Sequence, residues 1–230
     1  MNDFFSLDNK YLLSLKMLFL HPKQILTEYL EGTRKKYVSP FAFLAIGTAL
    51  AMLVFNEFSD NFLEISNVIN ETQFDLVEGQ VESTEIMVEL EKERIESKEM
   101  AIQIQKHILK YFNIITFLLI PFYALTAFVV YRKPYNYGEH LIITCYVQGL
   151  LFLSTILFFI MGLVIHPSIY YLSIPVGIIY YLYAYGKLYG LTFGQNLIKL
   201  LRFLGISLIL IIVLGVFAFL VGLMFAFLFK

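Results

Sequence analysis

Five stretches of this chain carry no charged residue: Pro40–Asn56, Tyr111–Tyr131, Leu141–Ile165, Ser168–Gly186 and Phe203–Phe229. A bilayer core takes about 20 apolar residues as an α-helix, with a range of about 17–25. All five reach that range, the first and fourth near its lower limit. Backbone polar groups inside hydrocarbon must be satisfied within the segment, so such stretches read as helices. The chain is 59% hydrophobic and 15% charged, against about 25% charged in a soluble domain. That balance excludes a soluble core, disorder and a collagen-like repeat. Cys145 is the single cysteine of the 230 residues, which excludes an intramolecular disulfide.

The expected fold is therefore all-α: a polytopic transmembrane helical bundle of about five spans, with an N-terminal amphipathic helix and an extramembrane acidic helical insert. Four regions follow. Residues 1–39 form a cytoplasmic amphipathic, basic segment, and 40–56 the first span. Residues 57–110 form an acidic extracytoplasmic helical insert, and 111–230 a four-span bundle. Pro40 suits a helix start, where its missing N–H is an orphan in any case. Pro121 and Pro175 fall inside spans, where each is expected to kink its helix. Only His166-Pro167 separates the third and fourth stretches, so these form a tight helical hairpin.

In the first segment Tyr11, Leu12, Leu15, Leu18 and Phe19 follow helical spacing, and Lys16 interrupts the apolar run. This is not the pattern of a cleaved leader. The helix either lies on the membrane surface or packs on the protein's own bundle. His21-Pro22 breaks it, and a second short helix, Gln24–Glu31, runs to Gly32.

Charge is segregated. Between Asn56 and Tyr111 thirteen acids face five bases, a net of −8, and the rest of the chain carries +7. Lys10, Lys16, Lys23, Arg34, Lys35 and Lys36 precede the first span. Arg132 and Lys133 follow the second, and Lys187, Lys199 and Arg202 follow the fourth. Basic residues near span ends stay cytoplasmic. The expectation is thus a bacterial inner (cytoplasmic) membrane protein with its N-terminus in the cytoplasm and the acidic insert outside. The lipid bilayer is its first partner. Arg34, Lys35, Lys36, Arg132 and Lys133 form a basic face for the membrane surface or a protein partner. The acidic insert argues against direct nucleic-acid binding.

In the insert, Val81, Val88, Ile95, Ile102 and Leu109 recur every seven residues. A helix from Val81 to Lys110 would be about 45 Å long and could run straight into the second span. A coiled coil needs a second apolar position per heptad, and the +3 series is polar. A solvated helix leaning on a neighbour is the plainer reading and an oligomerisation coil through Val88, Ile95 and Ile102 the sharper one. Ala218, Gly222 and Ala226 stand four apart in the last span, a spacing that lets helices approach closely. Together these two surfaces suggest a homo-oligomer.

Reaction chemistry is sparse. Glu139-His140, at the start of the third span, is the one acid–imidazole pair near a membrane surface. It is a candidate acid–base pair, although an acid is also favoured there by the helix dipole. No spacing suits a metal, and no phosphate loop or dinucleotide fingerprint occurs, so neither metal nor cofactor is expected.

The run Glu28-Tyr29-Leu30-Glu31-Gly32-Thr33-Arg34-Lys35-Lys36-Tyr37-Val38-Ser39-Pro40-Phe41 resembles a pattern found just before the first span of a large family of uncharacterised multi-pass membrane proteins, typical of Bacteroidetes. Tyr135–Leu141, opening the third span, and Tyr180–Leu200 are also similar to that family. Many of its members begin with a four-cysteine zinc ribbon, which this chain lacks. The resemblance implies an inner-membrane protein without an assigned activity. Small multi-pass proteins of this size also accompany antiviral systems of the same phylum, including type VI CRISPR loci. The leading functional expectation is a non-enzymatic scaffold, regulator or oligomeric membrane effector, with an accessory role in such a system. The alternative is a channel or transporter for a neutral or lipidic solute. A membrane enzyme using Glu139 and His140 is the second alternative.

Overall fold

The computed structural model describes the backbone of residues 2–65 and 84–228, and side chains over 9–65, 91–216, 220 and 224. These residues are helical and include no strand. Helix α1 (Asn2–Leu20) stops at His21, and α2 (Pro22–Leu30) starts with Pro22 in its first turn. Gly32 follows at φ +108°, a left-handed conformation that costs glycine nothing. Helix α3 (Pro40–Glu57) is capped by Ser39, whose Oγ accepts from the Ala42 N–H at 3.3 Å. A helical stretch continues at 59–65.

Helix α4 (Thr84–Lys110) and α5 (Phe112–Tyr131) are separated only by Tyr111. The Tyr111 N–H still donates to the His107 carbonyl, and the Ile115 N–H to that of Tyr111. The acidic helix therefore enters the second apolar helix almost without interruption. Helix α6 (Tyr137–Val164) begins with a capping box: the Glu139 N–H donates to Asn136 Oδ1 at 3.0 Å, and the Asn136 N–H to Glu139 Oε2 at 2.7 Å. A short 3₁₀ segment, Pro167–Leu172, leads into α7 (Ser173–Tyr189), which Gly190 closes at φ +62°. Helix α8 (Phe193–Leu228) completes the order.

Four of these helices are long and apolar enough to cross a membrane: α3, α5, α6 and α8 over Phe193–Val216. The fourth charge-free stretch differs from expectation. Its first residues wind as 3₁₀, and the 17 residues of α7 span about 25 Å, short of a hydrocarbon core of about 30 Å. Pro175 falls in the first turn of α7, where backbone N–H groups have no partner within the helix, so it breaks no bond there. Pro121 does lie inside α5.

Helix α6 is the centre of the bundle, packed against α1, α3, α5, α7 and the 3₁₀ segment. Its crossing with α3 is built on two glycines. A Cβ on Gly149 would stand 2.7 Å from Phe43 Cδ1, and one on Gly47 would stand 3.0 Å from the Gly149 carbonyl oxygen. Backbones this close gain dispersion energy where hydrophobic burial contributes little. Segment 167–189 returns along α6. Tyr170 packs edge-on to Phe159 near one end, and Tyr189 reaches His140 at the other.

Two apolar clusters mark the ends. Leu18, Ile25, Leu26, Phe43, Tyr146 and Tyr185 belong to the larger one. Ala51, Phe55, Ile65, Leu109, Ile156 and Phe159 form the second, where the acidic helix meets the bundle. Helix α1 packs on the bundle along one face. Ser14 and Leu18 are fully buried against the bundle, while Leu12 and Phe19 are 61% and 64% exposed on the opposite face.

The seven-residue period of α4 is only partly a packing stripe. Leu109 is buried, Ile102 half-buried and Ile95 exposed. Val81 and the side chain of Val88 lie outside the described residues. A different row, Met100, Ile104 and Ile108, is exposed at a spacing of four. Helix α8 leaves its middle bare, with Leu208, Ile209, Ile211 and Ile212 all exposed. The side chains of Ala218, Gly222 and Ala226 lie outside the described residues.

Candidate functional site

Side-chain hydrogen bonds join distant parts of the chain at one end of the bundle, which also gathers the three basic segments. It is assembled from the turn after α2 upward. Glu28 accepts hydrogen bonds from Gln24 Nε2 at 2.7 Å, Lys36 Nζ at 2.7 Å and the Tyr37 hydroxyl at 2.6 Å. The Lys36 and Tyr37 donors hold the Glu28 carboxyl well below its ordinary value, at about 2, and the same pairing raises Lys36. This three-donor grip folds the 31–37 turn back on α2 and delivers Val38 to the interior.

Val38 is the junction. Its N–H donates to Ser14 Oγ of α1 at 3.0 Å, and its carbonyl accepts from the Tyr146 hydroxyl of α6. Ser14 passes its own hydroxyl hydrogen to the Lys10 carbonyl at 2.8 Å. Tyr146 is fully buried, edge-on to Tyr29 and against Phe43. Two tyrosines of α7 tie down the other end of α1. The Tyr180 hydroxyl donates to the Leu18 carbonyl at 3.0 Å, and that of Tyr183 to the Leu20 carbonyl at 2.8 Å. A helix C-terminus leaves carbonyls without partners, and these two hydroxyls supply them.

An aromatic stack lies beside this junction. Tyr181 and Tyr185 stack at 4.3 Å, and Tyr131 sits 4.6 Å from Tyr185 and 4.9 Å from Tyr189. His140 is fully buried at its edge. His140 Nε2 is 3.1 Å from the Tyr189 hydroxyl and 3.4 Å from the Arg132 carbonyl, while Nδ1 has no hydrogen-bond partner. A buried N–H without a partner is rarer than an unpaired acceptor, which assigns the proton to Nε2. Lys199 of α8 donates to the Val130 carbonyl at 2.9 Å and covers the Tyr131 ring at 5.0 Å. Burial raises the hydroxyl of Tyr135, in the loop before α6.

The sequence candidates separate here. Lys36 is engaged by Glu28, whereas Arg34 and Lys35 are exposed on the turn. Arg132 ends α5 at φ 53° and offers its carbonyl to His140, and Lys133 is exposed beside it. Glu139 and His140 are not hydrogen-bonded to each other: the carboxylate closes the capping box, and the imidazole turns into the aromatic stack. Among the described residues no three His, Cys, Asp or Glu side chains come together as a metal site would require. The arrangement can hold a two-helix element rigidly on the bundle. It also leaves Arg34, Lys35 and Lys133 free to face an anionic surface. Ser14, Tyr146, Tyr180 and Tyr183 carry the docking, and sequence reasoning did not single them out for it. Their signal was available only as tyrosines and one serine in apolar helices.

Residues 8–52 match the model of a family described as a protein of unknown function (DUF3667). The match spans most of α1, all of α2, the Glu28–Tyr37 turn and most of α3, so it covers one half of the docking interface. No curated protein and no solved structure matches the chain.

Proposed function

We propose that this protein is a non-enzymatic membrane scaffold or regulator that presents the α1–α2 element and its basic turn on the cytoplasmic face of the inner membrane. One observation carries the reading: the Tyr180 and Tyr183 hydroxyls tie the end of α1 to α7, and Ser14 and Tyr146 tie α1 to α6 through Val38. Scarce polar groups in an apolar bundle are expected where function needs a defined geometry, and here that geometry belongs to a surface element. In this reading the chain crosses five times, with segment 167–189 as the fourth crossing. The 3₁₀ turns add about 12 Å to the length of α7, bringing the composite close to membrane thickness. The bare face of α8 is then open to a second copy of the chain.

The test is proximity labelling from the N-terminus in cells, paired with flux measurements on liposomes containing the purified protein. A defined cytoplasmic protein should be labelled, and Arg34→Glu with Lys35→Glu should abolish that labelling without changing membrane level. Protein-dependent leakage of a neutral dye would overturn the reading in favour of a channel.

A further inference from the structure

Two cavities lie along the seam between α1–α2 and α7. The first, about 650 Å³, carries two lysines on a largely apolar wall: Lys23 and Lys187 line it with Leu20, Pro22, Tyr183 and Glu28. Neither Lys23 nor Lys187 has an ion-pair partner among the described residues. The nearby acid does not cancel them, because Glu28 is already satisfied by Gln24, Lys36 and Tyr37.

The second cavity, about 530 Å³, is an apolar groove. Leu15 and Phe19 of α1, Leu150 and Leu157 of α6, and Val176 and Tyr180 of α7 line it, and Lys16 is its one charged lining residue. Both volumes lie within the range of about 300–1,000 Å³ typical of small-molecule sites. Tyr180 lines the groove and Tyr183 the first cavity, and their bonds to the Leu18 and Leu20 carbonyls place the two cavities side by side at the end of α1.

Their order along α7 is decisive. Lys187 lies seven residues beyond Tyr180 toward the basic end, about 10 Å along the axis. The groove runs the other way along α6, from Leu150 to Leu157, about 10 Å deeper into the apolar bundle. With the bundle in a bilayer, the lysines of the first cavity lie toward the surface and the apolar groove toward the interior. Lys16 can reach the same level by extending its stem along the groove.

We propose that this seam binds one anionic phospholipid, its headgroup phosphate held by Lys23 and Lys187 and an acyl chain lying in the groove. The charge complementarity selects an anionic over a zwitterionic headgroup, and the groove selects a lipid over a soluble phosphate. The proposal rests on the chain spanning a bilayer and not on the scaffold role, so either can fail without the other.

The experiment is native mass spectrometry of the full chain in mild detergent, titrated with phosphatidylglycerol, phosphatidylcholine or glycerol phosphate. A single phosphatidylglycerol adduct is expected, with phosphatidylcholine several-fold weaker and glycerol phosphate unbound. A basic residue near an anionic headgroup is worth about fivefold in binding, so Lys23→Gln with Lys187→Gln should lower the phosphatidylglycerol adduct by up to about 25-fold. Ser154→Phe, which fills the groove, should weaken both lipids. If the double variant elutes as aggregate, Lys187→Gln alone decides, with about a fivefold loss expected. Equal binding of the two lipids by the native protein would overturn the proposal. So would a preference that survives the lysine substitutions, or full displacement of the lipid by glycerol phosphate.

Discussion

Replacing Gly149 by alanine adds one methyl group at the tightest point of the α3–α6 crossing. The new Cβ would stand 2.7 Å from Phe43 Cδ1, 3.0 Å from Phe43 Cε1 and 3.3 Å from the Leu44 Cα. The ring has little room to yield: Phe43 is fully buried, stacked on Tyr11 at 5.1 Å and packed on Tyr146 at 5.8 Å. The Leu44 contact is to backbone, so relief requires the two helices to separate. Overpacking of this kind costs about 1–3 kcal/mol. Alanine returns about 0.5–1 kcal/mol through its better helix propensity, leaving a net loss of up to about 2.5 kcal/mol. Gly205→Ala is the control, because a Cβ there meets nothing within 4 Å and only the propensity gain remains. Thermal unfolding in mild detergent should rank Gly205→Ala at or above the native protein and Gly149→Ala below it. Equal midpoints for Gly149→Ala and the native protein would refute the close-crossing argument. Phe43→Leu combined with Gly149→Ala should recover part of the loss if the ring is the obstacle.

Tyr146→Phe leaves the buried Val38 carbonyl without its donor, and Ser14→Ala does the same to the Val38 N–H. Each should lower stability by about 1–3 kcal/mol and increase protease cleavage in the turn after α2. The grip on Glu28 should depend on acid. Its carboxyl is lowered to about 2, so the stabilisation is complete above the ordinary carboxylate value and is lost as pH falls toward 2. Hydrogen exchange across α2 should rise over that window, and Glu28→Gln should remove the pH dependence. A reporter fused after Glu85 should work only as an export reporter and one after Arg132 only as a cytoplasmic one; the opposite pattern reverses the proposed orientation. Gly186→Ala would place a methyl 2.6 Å from Asn196 Nδ2. It should break the Asn196 bond to the Leu182 carbonyl and loosen α8 from α7, read as faster exchange at the start of α8.

Local chemistry was legible in the sequence and long-range chemistry was not. His21-Pro22, Gly32 and Pro40 mark helix boundaries because a missing N–H and a left-handed residue act within one turn. The +7/−8 segregation likewise anticipated that the basic segments share an end. The 3₁₀ start of the fourth stretch was hidden, since an unbroken apolar run does not reveal how it winds. Gly149 was also missed: in isolation it is one glycine among apolar residues, and it acquires meaning only opposite Gly47 and Phe43. Glu139 and His140 are adjacent in sequence, but a 100° rotation per residue sends one side chain to the cap and the other into the aromatic stack. A period of seven within α4 does not show which neighbour meets it: among its described side chains Leu109 is buried, Ile102 half-buried and Ile95 exposed.

The bond from Tyr180 to Leu18 joins residues 162 positions apart, and that separation sets an order of events during synthesis. At about 5–20 residues per second, α1 waits roughly 8–30 s for its α7 partners to be made. Val38 meets Tyr146 across 108 positions, so that latch closes first and the α7 pair second. Over this interval α1 packs on α2, on Phe43 and then on α6, while its end at Leu18–Leu20 lacks the α7 hydroxyls. Closure of the Tyr180 and Tyr183 bonds on the end of α1 is therefore a late step of assembly. A chain truncated before Tyr180 should insert its early helices yet keep α1 open to protease.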